Sequence, residues 1–313
     1  MAITSENRIA PRQVVDSRYK AKLIAGRLEA VRDLARECRL CPRECGVNRL
    51  EGEPGTCQIT HSPTYSSVNL HHGEEPPISG YRGSGTIFLT GCNLHCLFCQ
   101  NYPISQLRHG VRSSVQDLAE QMLWLQSKGA HNLNFVTPTH QAHTIFEALG
   151  YACEAGLRIP IVYNCGGYES LEMLRLWDGI IDIYLPDAKY GADETALECS
   201  DAPDYARHNR AALREMHRQV GVLEVDDDGV ARRGLLIRHL VLPGGKAGTE
   251  EVCRFISQEL SPATCLSLMS QYFPAWKGCD HPLFSRRLTS AEYRQAVECL
   301  ARYDLNNGWI QPY

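Results

Sequence analysis

Residues 86–101 read TIFLTGCNLHCLFCQN: a short apolar run, a glycine at 91, then Cys92, Cys96 and Cys99 in a C-x3-C-x2-C pattern. The β-branched and aromatic residues of the run predict a strand, and Gly91 ends it. A cysteine loop at the C-terminal end of a strand lies where parallel α/β folds place their active sites. Three thiolates can ligate three irons of a 4Fe-4S cluster and leave the fourth iron open, whereas a structural zinc site or closed cluster uses four ligands. The competing readings are a zinc site completed by a remote ligand such as His95, and plain buried thiols.

Outward from this stretch, five more apolar runs recur at 132–138, 159–165, 180–187, 235–244 and 265–274. Helical segments separate them. Leu118, Met122 and Leu125 fall on one face between Ser114 and Gly129, and similar helices fit 141–155, 170–178, 201–220, 249–260 and 290–303. Thr289 and Glu292 form a capping-box pattern at the last of these. Near-continuous apolar strands alternating with helices predict an α/β fold with a parallel sheet and right-handed crossovers. Six such units fit a partial or full barrel at least as well as an open sheet. Residues 222–234 (VLEVDDDGVARRG) predict a hairpin before the fifth strand.

On the N-terminal side, about 37–84 is dense in Gly, Pro and Cys and poor in periodic apolar runs. This predicts two parts: an N-terminal helix and loop-rich cysteine module over 1–84, and the barrel over 85–313. Cys38, Cys41, Cys45 and Cys57 (C-x2-C-x3-C-x11-C) supply four thiols for a second metal site, zinc or iron-sulfur, against unmetallated packing thiols. The chain has 313 residues, 43% hydrophobic and 22% charged, with a net charge of −4, which excludes a disordered or collagenous chain. No bulk affinity for nucleic acid or anionic lipid is expected. Residues 1–20 lack an apolar signal core, and no run is long enough to span a membrane, so a cytoplasmic location is expected. Fourteen cysteines in that compartment read as ligands or buried thiols rather than disulfides.

At Cys92, Cys96 and Cys99 the chain resembles the radical S-adenosylmethionine (SAM) enzymes. The likeness runs from GEEPPISGYRGSGTIFLTGCNLHCLFCQNYPIS through VTPTH, YNCGGYE, DIYLPDAKY and LVLPGG to QYFP, and is to the pyruvate formate-lyase activating enzyme-like group. It implies a partial (β/α)6 barrel, a 4Fe-4S cluster on the three cysteines, and SAM chelated through its amino and carboxylate groups by the open iron. It further implies reductive cleavage of SAM to a 5'-deoxyadenosyl radical by an oxidoreductase of the activating-enzyme class. The substrate expected is a glycine of a partner protein or peptide, with a low-potential flavodoxin or ferredoxin as electron donor. The radical modification of a small molecule or another peptide site is the enzymatic alternative. A non-catalytic zinc or iron-sulfur electron-transfer module is the alternative from another class.

Further site residues are expected at strand ends. Thr137-Pro138-Thr139-His140 stands where the superfamily commonly carries Gly-Gly-Glu, so Thr137 and Thr139 are cofactor-binding candidates, against a helix cap. Asn164, before Gly166-Gly167, suits ribose or carboxylate binding, against a plain turn. Asp187-x-Lys189 resembles the Asp-x-Lys motif of activating enzymes, with Asp187 orienting the methionyl group and Lys189 catalytic, against a strand-end ion pair. Arg238, inside an apolar strand, needs an anion, either the cofactor's carboxylate or an aspartate. Of Gln271 and Tyr272 only one can face inward. His71, His72, Glu74 and Glu75 read as a solvated loop or, more sharply, a substrate-facing lid.

Overall fold

The computed structural model describes residues 16–313; the reading of the N-terminus as lacking a signal therefore lies largely outside the described residues. In order the elements are α1 (Ser17–Arg36), β1 (Thr64–His71), α2 (Pro76–Ser79), β2 (Ser84–Leu89), α3 (Tyr102–Ser105), β3 (Val111–Arg112), α4 (Val115–Ser127), β4 (Leu133–Val136), α5 (Ala142–Glu154) and β5 (Ile161–Cys165). Then follow α6 (Leu171–Leu176), β6 (Ile183–Pro186), α7 (Asp193–Ser200), α8 (Tyr205–Val220), β7 (Glu224–Val225), β8 (Ala231–Leu240), α9 (Thr249–Phe255), β9 (Cys265–Met269), α10 (Ser290–Arg302) and β10 (Gly308–Ile310).

The sheet runs β10-β9-β8-β6-β5-β4-β2-β1-β3. Every pair from β2 to β10 along this path is parallel, and β1 and β3 add antiparallel. The fold is α/β, a partial barrel whose sheet does not close. All six strands expected from the apolar runs are present as β2, β4, β5, β6, β8 and β9. Every residue of β4, β5 and β6 is buried, which is why their sequences show runs and not alternation. The predicted hairpin is the β7–β8 pair, closed over Asp226–Val230.

Boundaries differ where local chemistry differs. The helix expected over 201–220 begins at Tyr205, because Asp201 and Asp204 both take left-handed φ (49° and 52°) and break it from α7. Both halves of the Thr289–Glu292 capping box form at α10. The expected division after residue 84 falls inside β2, one residue into a strand that is hydrogen-bonded to β1. Helix α1 packs on α5, with the Ser17 hydroxyl donating to the carbonyls of Cys153 and Leu157, each at 2.7 Å. Lys20 pairs with Asp182 inside this layer, both side chains nearly sealed from solvent.

Candidate active site

At the C-terminal ends of β2, β4, β5, β6 and β8 the backbone opens into a cavity of about 430 Å3. Gly91 makes the first turn possible. Its φ is +78°, and a Cβ there would lie 2.9 Å from the Cys57 carbonyl oxygen, so only glycine carries β2 into the cysteine loop. Cys92, Cys96 and Cys99 all line the cavity. Polar groups meet their sulfurs: the Leu94 amide donates to Cys92 Sγ at 3.3 Å, the Ser200 hydroxyl donates to Cys96 Sγ at 2.9 Å, and the Ser105 hydroxyl lies 3.0 Å from Cys99 Sγ, each able to donate to the other. Burial pushes the Cys92 thiol up and the adjacent thiols push it further, as two groups competing for one site must. Burial likewise raises Cys96, while the Lys189 ammonium opposes it. His95, the remote zinc ligand considered above, turns outward and pairs with Asp201 at 3.0 Å. Three thiols on one loop, each beside a polar group, fit a cluster that takes three protein ligands and keeps one iron open.

A charged wall faces the thiols. Arg238 Nε donates to Asp187 Oδ1 at 2.9 Å, and Arg238 Nη2 donates to Asn164 Oδ1 at 2.7 Å. Asn164 Nδ2 reaches Glu74 Oε1 at 3.3 Å, and Asn134 Nδ2 reaches the same oxygen at 3.1 Å. Arg238 Nη1 lies 3.6 Å from Glu74 and 4.0 Å from Glu75. Lys189 Nζ completes the set on Asp187 Oδ2. Burial alone would raise Asp187, but the two cations hold it below the ordinary carboxylate range. Burial raises Glu74 and Glu75 against the pull of Arg238, and Glu75 Oε2 has no hydrogen-bond partner.

Asn164, Asp187, Lys189 and Arg238 thus meet in one network, and Thr137 joins the cavity lining. Thr137 holds φ at +61°, rare for a β-branched residue, with its amide on the Asn164 carbonyl at 2.8 Å. Thr139 does not join them. Its hydroxyl donates to Glu169 Oε1 at 2.7 Å beneath the sheet, where the Tyr163 hydroxyl donates to Oε2 at 3.0 Å. The left-handed turn at Thr137 precedes Thr139, whose side chain meets Glu169 and does not line the cavity. His140 likewise leaves the cavity, bonding the Thr90 carbonyl at 2.7 Å. Gln271 lines the cavity, whereas Tyr272 packs inside with its hydroxyl on the Phe284 carbonyl. Glu74 and Glu75, read as loop or lid, are wall residues with side chains only 8% and 5% exposed. Ser105 and Ser200 had no sequence signal, since a lone serine becomes a sulfur donor only through the fold.

Residues 86–220 match the family described as the Radical SAM superfamily. The uncharacterized protein MJ0674 of Methanocaldococcus jannaschii is 33% identical over 297 residues, covering 92% of this chain and 81% of that one. Among solved structures, a radical SAM methyltransferase from Sphaerobacter thermophilus is 14% identical with a TM-score of 0.48, covering 73% of this chain and 66% of that one. The FeFe-hydrogenase maturase HydG from Carboxydothermus hydrogenoformans is 15% identical with a TM-score of 0.48, covering 70% of this chain and 50% of that one. Residues 86–220 form a Radical SAM superfamily domain, and the chain is of one family with MJ0674. The radical SAM superfamily is one of enzymes, and membership implies a 4Fe-4S cluster and SAM. No described helix is long and apolar enough to cross a membrane.

Proposed function

We propose that the chain is a glycyl-radical activating enzyme: its cluster sits on Cys92, Cys96 and Cys99, SAM lies against the charged wall, and a glycine of a partner polypeptide is the substrate. The observation that carries the reading is the meeting of three thiols and the Asp187–Arg238–Asn164–Glu74 network in one cavity. When bound, the reduced cluster supplies one electron for cleavage of SAM to methionine and a 5'-deoxyadenosyl radical. With both groups bound, a glycine Cα held beside the cavity would be the hydrogen-atom donor, and a low-potential flavodoxin or ferredoxin would be the electron source.

The chain's own residues bind and orient. Arg238 and Lys189 offer positive charge to a carboxylate, and Glu74 offers negative charge to an ammonium, so a zwitterionic amino acid group is matched at both ends. A cavity of about 430 Å3 is near the lower end of small-molecule sites. Cluster and SAM together fill such a volume, which supports a substrate that reaches in from the open side as an extended segment. Leu107, 42% exposed and next to the cavity-lining Gln106, offers that segment an apolar contact.

The convergence of polar groups also favours a second reading, the radical modification of a small polar molecule. Anaerobic reconstitution with iron and sulfide, reduction with SAM, and assay for 5'-deoxyadenosine beside a Cys99→Ala variant test the chemistry. Product in the wild type and none in the variant is expected. Deuterium transfer into 5'-deoxyadenosine from an α-deuterated glycine in a polypeptide supports the first reading, and transfer only from a small molecule supports the second.

A further inference from the structure

The four N-terminal cysteines converge on a second centre with a different architecture from the cavity. The Cys38 amide bonds the Val47 carbonyl at 3.0 Å and the Gly46 amide bonds the Cys38 carbonyl at 3.2 Å, which sets the Cys38–Cys41 turn beside Cys45. Cys57 closes the group. Gly55 permits the approach, since a Cβ there would stand 3.1 Å from Cys45 Sγ. Backbone amides are aimed at the sulfurs: Leu40 toward Cys38, Arg43 toward Cys41, and Thr56 toward Cys45 at 3.4 Å.

Two arginines enter this nest. Arg49 is 1% exposed, and its contacts are Cys57 Sγ at 3.1 Å, Cys38 Sγ at 3.9 Å and the His140 carbonyl at 3.2 Å. No carboxylate meets it among the described residues, and its Nε has no partner. Arg43 lines the same void, with Nη2 buried and unpartnered while its Nη1 lies 3.3 Å from Asp201 Oδ2, so the guanidinium without an anion is that of Arg49. A buried guanidinium without an anion is strongly disfavoured, and neutral thiols do not supply one. Four thiolates on a divalent metal carry a net charge of about −2, because coordination deprotonates every ligand. The void among them is about 10 Å3. That is room for one atom, not for a cuboidal cluster.

We propose that Cys38, Cys41, Cys45 and Cys57 bind a single zinc ion as a structural tetrathiolate site whose charge Arg49 and Arg43 neutralise. No set of three ligand-type side chains, among the described residues, already has metal-binding geometry. That holds for Cys92, Cys96 and Cys99 as well. The site braces the catalytic loop: Arg43 Nε donates to the Asn93 carbonyl at 2.9 Å, one residue after Cys92.

The test is metal analysis and zinc-edge X-ray absorption on the full chain purified without reconstitution, as wild type and as a Cys92→Ala, Cys96→Ala, Cys99→Ala triple variant. One zinc per chain in both proteins, with four sulfurs at ~2.3 Å, is the expected result. A Cys41→Ser, Cys57→Ser variant should lose that zinc and keep its 5'-deoxyadenosine-independent cluster signal after reconstitution. Zinc that vanishes in the triple variant, zinc bound by nitrogen or oxygen, or a second iron-sulfur cluster in place of zinc overturns the proposal. Since the triple variant cannot carry out SAM chemistry, this outcome is independent of the function proposed above.

Discussion

Asp187 and Arg238 meet twice: their backbones form a parallel bridge between the ends of β6 and β8, and Arg238 Nε donates to Asp187 Oδ1 at 2.9 Å. The pair therefore both closes the sheet locally and fixes the guanidinium over the cavity. Breaking a buried pair strands the surviving charge and costs about 3–5 kcal/mol. Arg238→Met should lower the stability of the metal-free chain by that order, measured by denaturant unfolding under anaerobic conditions. Because the Asp187 carboxylate is held below its ordinary range, its contribution is present at neutral pH and is lost only as pH falls below about 4.

Lys189 lies on Asp187 and faces the Cys96 thiol. Burial would lower its pKa, but these two groups outweigh that and keep it charged. Removing an oriented charge at a reaction centre costs roughly 10²–10³ in rate. Lys189→Met should lower 5'-deoxyadenosine formation by about that factor while iron and sulfide contents stay unchanged. Equal loss of cluster would instead make Lys189 a scaffold residue.

Hydrogen bonds to a cluster's sulfurs tune its potential. Ser200→Ala removes the donor 2.9 Å from Cys96 Sγ and should move the midpoint to a more negative value. An EPR-monitored redox titration beside the wild type reads the shift.

Glu169 shows how Thr139 acts. Burial pushes this carboxyl up to about 7 despite donors from Thr139, Tyr163 and Cys165. A folded pKa above the unfolded value of about 4.3 means the native state holds the extra proton, so this group favours the fold at low pH and penalises it as pH rises through 7. Glu169→Gln should gain on the order of 3–4 kcal/mol over wild type above pH 8 and lose that advantage below pH 5. Thr139→Val should cost about 1–3 kcal/mol by leaving a buried acceptor unmet, with SAM affinity unchanged.

Three buried histidines act in the opposite direction. Burial lowers His140 and His239 to about 4 and His143 to about 3. Above pH 6.5 neither folded nor unfolded chain protonates them; below it the unfolded chain does first, so stability falls toward pH 4 by on the order of 3 kcal/mol per residue. Unfolding free energies from pH 8 to pH 4 should therefore peak between the Glu169 and histidine limbs, near pH 6 to 7.

The strands were legible because strands buried on both faces write continuous apolar runs, as Ile161–Cys165 and Ile183–Pro186 do. Strand β1 was not, because half-buried residues such as Ser67 and Asn69 leave neither a run nor a clean alternation. The three-residue β10 is too short for any period. At the site, Cys92, Cys96 and Cys99 announce themselves by spacing, Asp187 and Lys189 by an Asp-x-Lys pattern at a strand end, and Arg238 as a charge inside an apolar strand. Glu74 and Glu75 do not. Adjacent carboxylates read as solvated until a partner is known, and theirs is Arg238, far along the chain. Thr139 shows the converse, a residue in a suggestive motif that follows the left-handed turn at Thr137 and meets Glu169.

The central claim is that Cys92, Cys96 and Cys99 hold a 4Fe-4S cluster whose open iron takes SAM. EPR of the reconstituted, reduced protein with and without SAM tests it most directly, with the Cys99→Ala variant as reference. A change in the cluster signal on adding SAM, accompanied by 5'-deoxyadenosine, is the result predicted. A fully loaded, reduced cluster whose spectrum ignores SAM and which yields no 5'-deoxyadenosine would contradict it.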